Sequence, residues 1–131
     1  MWLRQSAESG FVDTVNFMEI EEDEKDLIIS FALYDGDGDI RSLILHRTLF
    51  YEFIMPDEER GTKVSLEGDY LEEEHLNTLE RFEFDTPVLR IKSRFRFYEI
   101  DAQRLEPEEY EQIKKSLARQ NYDGRFEVIF T

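Results

Sequence analysis

Two apolar runs flanking one short acidic turn govern what this chain can fold into. Leu27–Tyr34 (LIISFALY) and Ile40–Leu49 (IRSLILHRTL) are apolar at positions of both parities, and Asp35-Gly36-Asp37-Gly38-Asp39 stands between them. Successive side chains of a strand point to opposite faces. Glycine tolerates the positive φ that a tight reversal needs. The pattern predicts a β-hairpin whose two faces both need cover. Either other elements pack on each side of the sheet, or the sheet curls strongly on itself.

The remaining segments supply further strands. Residues 11–20 (FVDTVNFMEI) alternate well enough for a first strand, and Glu21-Glu22-Asp23-Glu24 after them reads as a solvated turn. Tyr51-Glu52-Phe53-Ile54-Met55 prolongs the apolar run of the hairpin until Pro56, which has no amide donor and ends it. Asp57-Glu58-Glu59-Arg60-Gly61 is a charged turn and residues 63–67 a short strand, while residues 68–80 fit one helical turn or an edge strand equally well. Strand character returns at Phe82-Glu83-Phe84 and stops at Asp85-Thr86-Pro87, a second hairpin turn. Val88 to Ile100 reads as one long strand, with Leu89, Ile91, Ser93, Phe95 and Phe97 on one face and Arg90, Lys92, Arg94 and Arg96 on the other. The shift of apolar positions to Tyr98 and Ile100 suggests a bulge.

Helix signals gather at 107–120. Pro107 suits a first turn, Glu106, Glu108, Glu109 and Glu111 complement the positive end, and Lys114, Lys115 and Arg119 complement the negative end. Tyr110, Ile113 and Leu117 line one face. Phe126, Val128 and Phe130 then alternate in a closing strand. The expected class is α+β: a mainly antiparallel sheet of about six to seven strands with one helix packed on it, forming one domain over residues 1–131.

Charge narrows the functional classes. The chain carries 31 Asp and Glu against 16 Lys and Arg, a net of −15. Residues 1–85 hold 23 acids and 7 bases, whereas residues 86–131 hold 8 and 9. Such a field repels nucleic acid and anionic lipid and steers a cationic partner inward. No stretch approaches the ~20 apolar residues of a membrane span, and the first residues, MWLRQS, do not read as a signal peptide. With no cysteine, disulfides, thiolate metal sites and a cysteine nucleophile are excluded, and a cytoplasmic location is expected.

Catalytic and metal signals are thin. Asp35, Asp37 and Asp39 match the first positions of an EF-hand loop, but Ile40 stands where its glycine belongs and His46 where its bidentate glutamate belongs. His46 and His75 are the two histidines, and no HExxH or two-histidine spacing occurs. Ser42 and His46 lie about 13 Å apart along a strand, too far for a nucleophile pair. No glycine-rich phosphate loop is present, and no cofactor or metal is expected.

Two charged features remain. Arg90, Lys92, Arg94 and Arg96 form a cationic stripe that would bind an anion or else pair across strands with acids such as Glu80, Glu83 or Asp85. The acidic clusters Glu21, Glu22, Asp23 and Glu24, then Asp57, Glu58 and Glu59, then Glu72, Glu73 and Glu74, offer a surface to a basic protein. In composition the chain is similar to immunity proteins and other inhibitors of cationic toxins or nucleases. That resemblance covers no motif and transfers no residue. The expected function is a non-enzymatic interaction module docking a basic partner. The alternatives are a small-ligand or catalytic domain using Arg90–Arg96, with its cavity between sheet and helix, and a self-associating subunit.

Overall fold

The structure is a computed structural model describing residues 13–131. Its eight strands are β1 (Thr14–Glu22), β2 (Asp26–Tyr34), β3 (Ile40–Thr48), β4 (Lys63–Leu66), β5 (Leu79–Asp85), β6 (Val88–Ser93), β7 (Phe97–Asp101) and β8 (Glu127–Phe130), with one helix, α1 (Pro107–Gln120). They form a single sheet in the order β4-β3-β2-β1-β7-β6-β5-β8. The α+β class, the mostly antiparallel sheet and the position of the helix agree with the sequence reading. The strand count is one above its upper figure.

Two antiparallel meanders, β1 to β4 and β5 to β7, make up most of the sheet. They join through a parallel contact of one residue pair, Thr14 with Asp101, beside which the Asp101 amide donates to the Asp13 carbonyl at 2.8 Å. At the far side β8 runs parallel to β5. The sheet stays open, yet the outer edge of β4 reaches back to the other meander. The Val64 amide donates to the Asn77 carbonyl (3.0 Å) and the Leu79 amide to the Thr62 carbonyl (2.7 Å). That curl encloses one core from both meanders: Ile29, Phe31, Leu43, Leu45 and Val64 from one, Phe82, Leu89, Ile91, Tyr98 and Ile100 from the other.

The central hairpin forms as expected. Asp35 closes its turn by accepting the amides of Asp37 (2.8 Å) and Asp39 (3.3 Å), while Gly36 and Gly38 take φ of 91° and 97°. Leu27, Ile29, Phe31 and Leu33 are buried, and Ile28 and Ile44 on the opposite face stay half-buried. In β1 a bulge between Val15 and Phe17 resets the alternation, so Val15 and Met18 both face the core and Phe17 turns out, 54% exposed. The first expected strand residues, Phe11 and Val12, lie outside the described residues.

Helix α1 spans 107–120, with Pro107 in its first turn and the Glu106 amide donating to the Glu109 carboxylate at 2.9 Å. Ile113 and Leu117 are fully buried against β1 and β2, and Tyr110 meets Phe84 edge-on at 4.6 Å. The helix therefore touches both meanders.

Two readings are corrected, and one left open between a helical turn and an edge strand is decided. Residues 88–100 are two strands reversing at Arg94–Arg96 and paired antiparallel, Arg90 opposite Glu99 and Ile91 opposite Tyr98. The apolar shift that suggested a bulge is this reversal. Residues 51–55 do not continue a strand; Glu52–Ile54 form a 3-10 turn. Within the ambiguous stretch, Glu74–Leu76 form another 3-10 turn.

Candidate docking surface

The reversal at Arg94–Arg96 splits the cationic stripe, and carboxylates hold three of its four members. Arg90 donates to Glu83 and Glu99, each at 3.0 Å, with Asp85 at 3.8 Å. Lys92 pairs with Glu80 and Arg96 with Asp69 at 2.8 Å. The bonds from Glu99 and Glu83 hold the Arg90 guanidinium above its ordinary pKa, and Asp69 does the same for Arg96. Arg94 is exposed, lies 5.3 Å from the Phe95 ring and has no carboxylate partner among the described residues. Opposite charges on neighbouring strands are the ordinary way to offset such a row.

The groove expected between sheet and helix contains none of these cations; Met18, Ile20, Glu22, Glu109, Lys115 and Arg119 line it. An open cleft of about 350 Å³ beside residues 57–61 is bordered by Arg60, Arg94 and Arg125. Asp57, Glu58 and Glu80 face the same space. Arg60 is occupied by the carbonyls of Met55 and Phe53, and Arg125 by Asp57 and Asp123.

The acidic clusters behave differently. Glu22 is held by Arg119 and Ser116, Asp57 by Arg125, and Asp23 caps its own turn by accepting the amides of Lys25 and Asp26 at 2.8 Å. Those two amide bonds depress the Asp23 carboxyl below its ordinary pKa. Among the described residues the carboxylates of Glu21, Glu24, Glu58, Glu59, Glu72, Glu73 and Glu74 have neither a cation nor a hydrogen-bond donor. These clusters gather towards one end of the sheet. The Leu49 amide donates to the Lys25 carbonyl at 2.7 Å, which fastens the β1–β2 turn to the start of the β3–β4 connection. The short 3-10 turns at Asp57–Glu59 and Glu74–Leu76 lie against each other.

Between the acids stands a loop that sequence reasoning missed. Phe50, Tyr51, Phe53 and Ile54 are 52%, 55%, 74% and 68% exposed, whereas the one acid among them, Glu52, is buried. The cause is Arg47. It occupies an inward position of β3, in register with Leu43 and Leu45, and its side chain is wholly buried. A buried guanidinium must be paired and hydrogen-bonded. Glu52 binds it through both oxygens, with Nε to Oε2 at 2.9 Å and Nη2 to Oε1 at 2.5 Å. Asp123 binds it through both of its own at 2.8 and 2.9 Å. The Gln120 carbonyl at the end of α1 accepts Nη1 at 2.6 Å, and the Tyr122 ring lies 4.2 Å from the guanidinium carbon. Gly61, at φ 108°, donates its amide to Glu52 at 3.2 Å.

With every guanidinium nitrogen bonded, Arg47 is a lock between β3, the loop and the end of α1, and has no donor to spare for a ligand. Burial pushes the Glu52 carboxyl up, but the Arg47 bonds and the Gly61 amide outweigh it and leave it below its usual value. Arg47 and Arg125 hold Asp123 well below the usual carboxylate range. Turning Glu52 inward forces its neighbours outward, since a three-residue 3-10 turn has no second buried face.

His46 is bonded to Asp26 at 2.8 Å across β2 and β3, and His75 is exposed. Among the described residues no three His, Asp or Glu converge as metal ligands, and no helix is long and apolar enough to cross a membrane. Comparison with known proteins finds no matching family model, curated protein or solved structure.

Proposed function

We propose that this protein is a non-enzymatic interaction module that docks a basic protein partner through the acidic end of its sheet. One observation carries the reading: the acids of the three clusters are largely free of cations, while the bases of the stripe are mostly paired. Unneutralised carboxylates project field into solvent, and a cationic surface would be drawn to them at long range. The anion-binding alternative is weaker, because Arg90, Lys92 and Arg96 already have carboxylates.

The test begins with affinity capture from the native host's lysate at low and at physiological salt, followed by kinetics on the captured protein. A basic partner whose association slows as salt rises supports the reading. E72K/E73K/E74K should cut the association rate severalfold and leave the thermal midpoint near that of the parent. Binding that ignores both salt and these reversals removes the electrostatic mechanism.

A further inference from the structure

We infer that the Phe50–Ile54 loop is the anchor of the docking surface, and that it seats in an apolar groove rimmed by lysine and arginine on a partner protein. The basic rim rests on the function proposed above; the seating of the loop rests on its own geometry.

Four large apolar side chains within five residues are exposed, two of them by more than two thirds. Isolated exposed apolar residues are ordinary, but a contiguous group marks an interaction site. This group is also pre-organised. Glu52 is tied to Arg47 and to the Gly61 amide, Arg60 donates to the carbonyls of Phe53 and Met55, and the Phe50 and Tyr51 rings meet edge-on at 4.8 Å. A loop ordered before binding loses little entropy on binding. With most of their surface exposed, Phe53 and Ile54 need a groove rather than a flat face to cover them.

Charge selects the occupant. The loop is followed in sequence by Asp57, Glu58 and Glu59, and the turn holding Glu24 lies beside it through the Leu49–Lys25 bond; most of these acids lack cations, while Lys25 lies 5.9 Å from the Phe50 ring. A second copy would bring the same excess of acids against these, and an anionic membrane would be repelled in the same way. An apolar seat surrounded by Lys and Arg matches both features: a desolvated apolar centre within a polar rim.

The probe is a photo-reactive benzoylphenylalanine placed at Phe53, with a control at Tyr70, which is 89% exposed. The inference expects a cross-link from position 53, absent from position 70, to one protein with a basic surface identified by mass spectrometry. With that protein purified, F53S/I54S should weaken binding about 30-fold or more, chiefly through faster dissociation. E58K/E59K should instead slow association. Both positions of F53S/I54S are mostly exposed, so its thermal midpoint should stay within about 2 °C of the parent; F53S alone serves if it does not.

An adduct with a second copy, pelleting with phosphatidylserine vesicles, equal labelling from position 70, no adduct at all, or binding within twofold of the parent in F53S/I54S each overturns the inference. The two readings also fail separately. A salt-sensitive partner indifferent to F53S/I54S sinks the loop, and one lost in F53S/I54S but indifferent to salt and charge reversal sinks the electrostatic steering.

Discussion

Arg47 has no exposed atom and yet decides the form of the surface around it. A buried ion pair adds little net stability over an apolar replacement, but removing one partner leaves the other charge desolvated and unpaired. Glu52→Gln should therefore cost about 3 kcal/mol near neutral pH, read from urea unfolding. The cost should shrink in acid. The Glu52 and Asp123 carboxyls lie below their ordinary values of 4.5 and 3.8. The stability they contribute is complete above those values and is lost as pH falls through the lower folded ones. Asp13, which burial raises despite Arg41, works in the opposite sense, its contribution present at low pH and lost as pH rises. The gap between parent and Glu52→Gln should narrow from pH 6 to pH 3; a constant gap would mean that the Glu52 charge is not what holds the lock.

Among the elements, α1 joins the layers, and its inner face is where substitutions should tell. Leu117→Ala removes a side chain with no exposed surface and should cost about 2–5 kcal/mol, whereas Lys115→Ala, at an exposed position, should stay within about 0.5 kcal/mol. Equal effects at the two positions would contradict the packing described. The helix and the central hairpin were legible in the sequence because local chemistry decides both: proline and charge placement at 107–120, and paired apolar runs about a glycine turn at 27–49. The reversal at 94–96 was not legible. Alternation continues through Arg94 and Arg96, and what breaks the strand is tertiary: the Arg94 amide donates to the Thr78 carbonyl and the Phe95 amide to the Asn77 side chain. The loop at 50–54 was hidden in the same way, since an apolar run before a proline reads as strand. Its trace was Arg47, a cation at the inward parity of a core strand with an acid five residues later. The acidic clusters were visible as charge, but which carboxylates lack cations depends on pairings across the sheet.

At the scale of the whole molecule, the net charge of −15 opposes compaction. Screening weakens repulsion among exposed carboxylates over distances of about 10 Å or more at 0.1 M salt, while the buried Arg47 pairs feel it less. The thermal midpoint should therefore rise between 20 and 500 mM sodium chloride; a fall would show that surface ion pairs outweigh the repulsion. The sheet has a further property that its strand order conceals. Its two meanders share one paired residue at Thr14 and Asp101, so little backbone bonding crosses from one to the other along that line. Resistance to opening there comes from interlocked side chains, from the backbone bonds of Val64 with Asn77 and Leu79 with Thr62 at the opposite margin, and from α1, which bears on both halves. In mechanical terms the molecule is a pair of leaves on a narrow spine, held shut by two clasps: the helix, and the few backbone bonds where β4 meets the opposite leaf.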